Sequence, residues 1–188
     1  MKILKNRIFA VAVSVVLVLC STLFSVHRTL GAKCQKIEDG FYTGVTYDGY
    51  LHKSISSQLN VCSNAANGLV TVADNYSSLS GAANDLRESR YEYLDAADEC
   101  DIDDMYEANE DLKRSFSALA DAMSGLELSD KERSAYDDYV STFRGAQSVI
   151  ESSGYNDSVR EFRRGTLNVF PTNILGSIAG VDKPELFD

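Results

Sequence analysis

The sequence YNDSVREFRRGTLNVFPTNIL, residues 155–175, predicts an amphipathic helix that ends at a proline. Apolar or small side chains recur in steps of four and three residues, which keeps them on one face of a helix. These are Tyr155, Val159, Phe162, Thr166 and Val169. Pro171 disfavours helical backbone at the residue before it, so we expect the helix to end near Phe170. Nothing in this stretch is catalytic, and its expected role is structural.

Length, composition and charge favour one acidic domain behind an apolar anchor. The chain has 188 residues and a net charge of −10, and single domains commonly contain about 100–200 residues. The negative charge repels nucleic-acid phosphates, so we expect no nucleic-acid partner. His27 and His52 are the only histidines, which leaves few options for a metal site or a general base.

An uncharged apolar segment, IFAVAVSVVLVLCSTLFSV, runs from Ile8 to Val26. At about 1.5 Å per residue it crosses most of a hydrocarbon core of roughly 30 Å. A cleaved signal peptide has a shorter apolar core, about 7–15 residues, and a better cleavage site than Leu30-Gly31-Ala32. A lipoprotein needs a small residue before its cysteine, whereas Leu19 precedes Cys20. We therefore predict an uncleaved, single-pass membrane anchor within residues 1–28.

Basic residues flank this anchor on both sides and give its orientation only a slight bias. The group before it is Lys2, Lys5 and Arg7, and the group after it is Arg28, Lys33 and Lys36. We favour an internal N-terminus, which places the rest of the chain outside the cell membrane. The three cysteines beyond the anchor, Cys34, Cys62 and Cys100, count mildly against an oxidising exterior because no paired framework is evident.

Heptad-like apolar seams beyond the anchor predict an all-α, antiparallel up-and-down bundle of about four helices. We divide the chain into an anchor (1–28), a tether (29–48) that ends in a cap at Thr46 or Asp48, a bundle domain (49–176) and a tail (177–188). The register shifts between Tyr76 and Leu79, where a turn is favoured over one overwound helix.

Two helix starts are predicted from local capping patterns. Asp104 followed by Glu107 fits an N-cap with a returning carboxylate, and Ser129-x-x-Glu132 is a capping box.

A disulfide between Cys62 and Cys100 requires their helices to meet, because bridged Cα atoms lie about 4.4–6.8 Å apart. Free thiols are the favoured alternative.

The sequence offers no catalytic, cofactor or metal-ligating set. Twelve acidic residues lie between Asp85 and Asp111, but a calcium loop that starts at Asp101 has Tyr106 where an EF-hand needs glycine. Solvated helix faces explain these charges better. No G-x-S-x-G pattern occurs, so we predict a protein that is not an enzyme. Arg160, Arg163 and Arg164 form a local basic group that pairs with acidic helix faces or, alternatively, binds a partner.

Two stretches carry a resemblance to a known family. The pattern YN-x-x-V-x-x-[FY]…FP-x-N-[IL] is matched by Tyr155, Asn156, Val159, Phe162, Phe170, Pro171, Asn173 and Ile174. A second pattern, I-x-x-QL-x-RR-x-x-LIPNLV-x-x-V-x-x-Y, is matched at Ile55, Gln58, Leu59, Leu69, Val70 and Tyr76. Its arginine pair is replaced by Val61 and Cys62, and its proline by Asn67. Together with the anchor, these patterns resemble the LemA family, of which this chain looks like a divergent member.

The resemblance implies a four-helix bundle on one membrane anchor and no settled biochemical activity. The leading hypothesis is a non-enzymatic scaffold or interaction module of the bacterial cell envelope that presents its bundle to a protein partner. The alternative is an extracytoplasmic sensor that binds a small ligand or cation between its helices. A polar pocket inside the bundle favours the sensor, whereas a filled core with an exposed apolar patch favours the interaction module.

Overall fold

The protein is almost entirely helical, as predicted from its apolar seams. The computed structural model describes residues 7–188, so Lys2 and Lys5 lie outside the described residues. Helices make up 79% of the structure, and the strands form one short hairpin. The all-α expectation is therefore confirmed.

The elements follow one another with short connections. They are α1 (Arg7–Thr43), β1 (Thr46–Tyr47), β2 (Tyr50–Leu51), α2 (Ile55–Ala73), α3 (Ser80–Glu99), α4 (Ile102–Ser124), α5 (Asp130–Glu151), α6 (Tyr155–Phe162) and α7 (Thr172–Ile178). A 3₁₀ turn (Ser77–Leu79) precedes α3, and a π turn (Arg163–Leu167) follows α6. The strands are antiparallel, with Tyr47 opposite Tyr50.

The chain divides into two compact units. The anchor unit combines the N-terminal residues up to Glu38 with Val159–Pro184. The bundle unit combines Asp39–Ser158 with Glu185–Asp188. Each unit is described separately below.

Helices α2 to α5 form the predicted bundle. Helix α2 packs against both α5 and α3, and α3 packs against α4. Fully buried apolar side chains fill the interior; among them are Leu59, Leu69, Leu86, Met105, Leu112, Leu119 and Met123. Burial of such side chains is the main force that holds helices together, at about 1.5–3 kcal/mol for each large side chain. The up-and-down bundle of about four helices is confirmed.

Capping interactions set the helix starts, and one of the two capping predictions is confirmed. At α5, the Ser129 side chain accepts from the Glu132 backbone while the Glu132 carboxylate accepts from the Ser129 backbone, which is the predicted capping box. The prediction for α4 was wrong: its N-cap is Asp101, whose carboxylate accepts from the backbone N–H of Asp104 at 3.0 Å. The helix starts earlier because Ile102 is buried in the core.

The predicted tether between the anchor and the bundle is helical over most of its length. Helix α1 continues to Thr43, and α2 is capped by Ser54 instead of Thr46 or Asp48. The physical reason is an apolar spacing that continues beyond the anchor, since buried or half-buried side chains recur in steps of four, three and four. These are Leu30, Cys34, Ile37 and Phe41. The glycines near this segment do not interrupt it before Gly44, whose φ is +89°.

Two further expectations concern helix ends. A turn does separate α2 from α3, as favoured, because α2 ends at Ala73 and the 3₁₀ turn leads into Ser80. The helix of residues 155–175 ends sooner than expected: α6 and its π turn stop at Leu167, ahead of Phe170. Val169 is exposed and therefore does not belong to the buried seam.

Candidate functional site

The family-like stretch of residues 55–76 lies mostly along α2 and serves the bundle core. Ile55, Gln58, Leu59, Leu69 and Val70 are all buried. Such a row along a single helix forms a packing face, and it does not gather chemical groups at one point. The predicted motif residues of α2 therefore have structural positions.

Tyr76 ends this stretch and ties α2 to the start of α5. Its hydroxyl donates to the Glu132 carboxylate at 2.9 Å, and the Asn75 amide donates to the same carboxylate at 3.2 Å. Hydrogen bonds from the Ser129 hydroxyl and the Ser129 backbone, followed by the one from Tyr76, lower the pKa of Glu132. Glu132 thus acts as a charged acceptor that joins two helix ends.

The family-like stretch of residues 155–174 is divided between the two units. Tyr155 and Asn156 belong to the bundle unit, where the Tyr155 hydroxyl donates to the Glu185 carbonyl at 2.9 Å. The Asn156 amide donates to the Phe187 carbonyl and accepts from the Phe187 N–H, both at 2.8 Å. This two-way pairing holds the C-terminal residues against the bundle unit.

Aromatic rings surround that C-terminal attachment. Phe41 lies against Tyr42, Tyr155 and Phe187, with ring centroids 5.0, 5.6 and 5.5 Å apart. Tyr106 meets the ring of Phe187 edge-on at 5.2 Å. Offset and edge-on ring pairs contribute about 0.5–1.5 kcal/mol each beyond area burial. The cluster is a packing site, and the sequence analysis missed it.

The remaining motif residues lie in the anchor unit. Val159 is fully buried, and Phe162 packs against a small core of Leu30, Cys34 and Leu167. By contrast, the last four motif residues lie largely on the surface: Phe170, Pro171, Asn173 and Ile174. Of the predicted basic group, Arg163 donates a hydrogen bond to the Pro184 carbonyl, while Arg160 and Arg164 are exposed. The motif therefore does not converge on one site.

A polar contact lies inside the bundle. The Gln147 amide donates to the Asn109 side-chain oxygen at 2.7 Å and lies 3.4 Å from the Cys62 sulfur. All three side chains are buried. Burial raises the pKa of the Cys62 thiol to about 12, so the reactive thiolate is rare at neutral pH. Cys62 and Cys100 are both free thiols, so the alternative of a disulfide between them is not realised.

Two grooves lie on the bundle surface. One, between α4 and α5, has a volume of about 220 Å³ and is lined by Lys113, Arg144 and the stacked rings of Phe116 and Phe143. The other, between α3 and α4, is lined by Glu92, Asp95, Glu99, Asp104, Glu107 and Asp111. Among the described residues, no group of three or more His, Cys, Asp or Glu side chains is arranged to hold a metal ion.

The anchor unit carries most of the large exposed apolar side chains of the described residues. Helix α1 contains a stretch with a mean hydropathy of 2.5, long and apolar enough to cross a membrane, and 0% of that stretch is buried. Exposed apolar side chains include Val11, Leu17, Val18 and Phe24. Exposure of so much apolar surface to water costs free energy, so this part of α1 favours an apolar environment.

Comparison with known proteins adds no relative to this description. No protein-family model, curated protein or solved structure matches the chain. The LemA-like resemblance therefore stays a prediction, and the geometry of the two units carries the functional argument.

Proposed function

We propose that this protein is a non-enzymatic, membrane-anchored module of the LemA-like kind that presents a helical bundle to a protein partner. The observation that carries the proposal is the contrast within one chain between α1, whose apolar side chains are exposed, and a bundle whose apolar side chains are buried. A soluble bundle does not need such a helix. A membrane protein that holds a domain at the bilayer surface does.

The length of α1 supports a single crossing. The apolar run from Ile8 to Val26 spans about 28 Å at 1.5 Å per residue, close to the thickness of a hydrocarbon core. Two of the four hydroxyl groups within this run are satisfied by the helix itself, since Ser21 and Thr22 both donate to the Val18 carbonyl at 2.9 and 2.8 Å. Internal satisfaction of polar groups is what a lipid environment demands.

The proposed location is the cell membrane, with the bundle on the extracytoplasmic side of a bacterial envelope. The basic residues Lys2, Lys5 and Arg7 at the N-terminus, together with the terminal amine, support an internal N-terminus by the positive-inside rule. The filled core supports a role for the outer faces of the bundle, because it leaves a protein partner only the surface to contact. The net charge of −10 disfavours nucleic acid as that partner.

Native cysteines give a direct test of sidedness. Cys100 is exposed on the bundle unit, whereas Cys34 and Cys62 are buried and Cys20 lies in the apolar run. A membrane-impermeant maleimide applied to spheroplasts should label the protein once, at Cys100. Cys100→Ser is the matched control and should abolish labelling. Labelling that requires lysis of the cells would place the bundle in the cytoplasm and overturn the proposed orientation.

The partner is to be sought by photo-crosslinking in native membranes. A photoreactive residue at Tyr91, which is exposed on α3, reports on the bundle surface, and one at Leu17 reports on the bilayer. The proposal predicts a discrete protein adduct from at least one exposed bundle position and lipid adducts from Leu17. If photoreactive residues placed on each exposed helix face give no protein adduct, the interaction role fails while the anchor stands.

The groove between α4 and α5 is the observation that favours the alternative function, a ligand sensor. Its lining combines Arg144 with the Phe116 ring, which suits a small anion with an apolar part, although Lys113 already pairs with Glu110 at 2.8 Å and Glu151 adds a negative charge. However, the neighbouring Gln147 amide is already paired with Asn109, so fewer polar groups remain for a ligand. A rise in bundle stability with a small aromatic acid, lost in Arg144→Ala, would favour the sensor over the interaction module.

A further inference from the structure

A short apolar stripe stands out near the end of the anchor unit. Phe170, Ile174 and Ile178 follow one another at four-residue intervals on and just before α7, and their side chains are 76, 51 and 64% exposed. Ile174 and Ile178 lie one turn apart on α7 and therefore face the same side of that helix, and the exposed Phe170 comes just before its N-cap Pro171. The sequence contains no charged residue from Gly165 to Val181, so no charged side chain of this segment borders the apolar stripe.

The opposite side of α7 packs against α1. Gly176 is buried so close to Leu30 that a Cβ atom at this glycine would lie 3.4 Å from the Leu30 side chain. One turn away, His27 Nδ1 lies 2.9 Å from the Ala179 carbonyl oxygen. Leu30 also belongs to the core with Cys34 and Leu167, against which Val26 is packed. These contacts fix α7 beside residues 26–30 of α1.

That position is the edge of the apolar run. Val26 is the last residue of the run, and Leu30 lies about 6 Å further along the helix axis at 1.5 Å per residue. Interfacial helices lie with their apolar face about 5–10 Å inside the boundary between headgroups and acyl chains. If α1 crosses a bilayer, the stripe therefore lies at the depth of the boundary between the hydrocarbon core and the headgroups.

We propose that the stripe of Phe170, Ile174 and Ile178 inserts into the outer edge of the same bilayer leaflet from which α1 emerges. This inference rests on the proposed membrane anchor and extends it, because it gives the chain a second lipid contact. The occupant is phospholipid: the stripe lies level with the end of the apolar run of α1, and Arg28, exposed at the same level, suits the phosphates of the headgroups. Two contacts with one leaflet restrain the tilt of the anchor unit in a way that one helix alone does not.

The absence of tryptophan from the chain makes the test direct, because a single introduced tryptophan reports on one position. The full-length protein is reconstituted into phosphatidylcholine vesicles whose acyl chains carry bromine either near the headgroup or near the chain end. Three variants are compared: Phe170→Trp on the stripe, Leu17→Trp in the middle of α1, and Tyr91→Trp on an exposed face of the bundle unit. All three positions are exposed, so each variant should fold, which circular dichroism checks.

The inference predicts that shallow bromines quench Phe170→Trp several-fold more strongly than Tyr91→Trp, and that deep bromines quench Leu17→Trp best. Ile174→Trp should behave like Phe170→Trp. Quenching of Leu17→Trp alone would overturn the inference and leave the anchor intact. Quenching of neither would overturn both. Blue-shifted emission of Phe170→Trp without quenching by bromine would mean that protein, either a partner or a second copy, covers the stripe, and it would overturn the lipid assignment.

Discussion

Two stretches of this chain lack charged residues, and they differ in whether their apolar side chains are exposed or buried. Residues 8–27 lie in α1, and residues 54–73 form α2 with its N-cap. Most of the large apolar side chains described in the α1 stretch are exposed, whereas most of those in α2 are buried in the bundle. Absence of charge alone therefore does not separate a helix with an exposed apolar surface from a core helix.

The difference lies in how polar side chains are distributed around each helix. In α2 the exposed positions recur in steps of three and four and are all polar, which leaves the apolar residues on the other face. They are Ser57, Asn60, Asn64, Asn67 and Thr71. Between Phe9 and Val26, α1 has no amide side chain, and its polar groups are four hydroxyls and the Cys20 thiol. A helix with apolar side chains around most of its circumference needs an apolar environment around it, and a helix with a continuous polar stripe needs one only on the opposite side.

The largest predicted effect compares one leucine from each helix. Leu59 is 0% exposed in α2, and Leu17 is 64% exposed in α1. Leu59→Ala should lower the free energy of bundle unfolding by about 2–5 kcal/mol, the usual cost of such a cavity, and Leu17→Ala should leave it unchanged. Chemical unfolding of the full chain in detergent, followed by the near-ultraviolet circular dichroism of its tyrosines, measures both. Equal destabilisation by the two variants would contradict the proposed environments of the helices.

The sequence predicts the bundle well because its signals are local. Apolar spacing locates the α2–α5 helices, and the Ser129–Glu132 box locates the start of α5. The continuation of α1 to Thr43 was missed because Gly31, Gly40 and Gly44 suggested a tether, although only Gly44 ends the helix. Glycine lowers helix stability by about 1 kcal/mol relative to alanine, and burial of Phe41 outweighs that cost.

The polar contacts could not be predicted in the same way, because they join residues far apart in the chain. Asn156 pairs with Phe187, and Asn109 pairs with Gln147. Gln147 does occupy a seam position between Phe143 and Ile150, and a polar residue in an apolar seam is the one sequence signal that indicates a buried partner, although the sequence analysis drew no such prediction from it. No local pattern names that partner.

The second prediction concerns this buried pair, which joins α4 to α5 and lies beside Cys62 on the buried face of α2. Asn109→Ala leaves the Gln147 amide without its acceptor, and an unsatisfied buried group costs about 1–3 kcal/mol. We expect that loss in the free energy of unfolding measured by urea titration. The double variant Asn109→Leu/Gln147→Leu removes both partners and should be more stable than Asn109→Ala. If the double variant unfolds more easily than Asn109→Ala, the Asn109–Gln147 hydrogen bond does more for the stability of the bundle than satisfy two buried polar groups.

The third prediction concerns the last buried apolar side chain of the bundle unit, Phe187. Asn156→Ala removes both hydrogen bonds to the Phe187 backbone, and water compensates part of the loss because Asn156 is only half-buried. We expect a destabilisation of about 1 kcal/mol and faster removal of C-terminal residues by carboxypeptidase. Deletion of residues 185–188 should destabilise the wild type more than it destabilises Asn156→Ala. Equal effects in both backgrounds would show that Asn156 does not act through the C-terminus.

The smallest expected effect is at the end of α2, where Tyr76 donates to Glu132. The pKa of Glu132 is lowered in the folded protein by hydrogen bonds from Ser129 and then Tyr76, so its contribution to stability is complete above the unfolded pKa of about 4.3. That contribution is lost as the pH falls below this value through the folded pKa, because protonation removes the charged acceptor. Thermal melts between pH 7 and pH 3 should therefore show Glu132→Gln less stable than the wild type at pH 7, with the gap closing towards pH 3. Tyr76→Phe should narrow the gap without abolishing it, because the Ser129 hydrogen bonds remain. If the stability difference between the wild type and Glu132→Gln stays constant with pH, the Glu132 charge does not stabilise this end of α2. The apolar face of α2 alone would then hold the helix in the bundle.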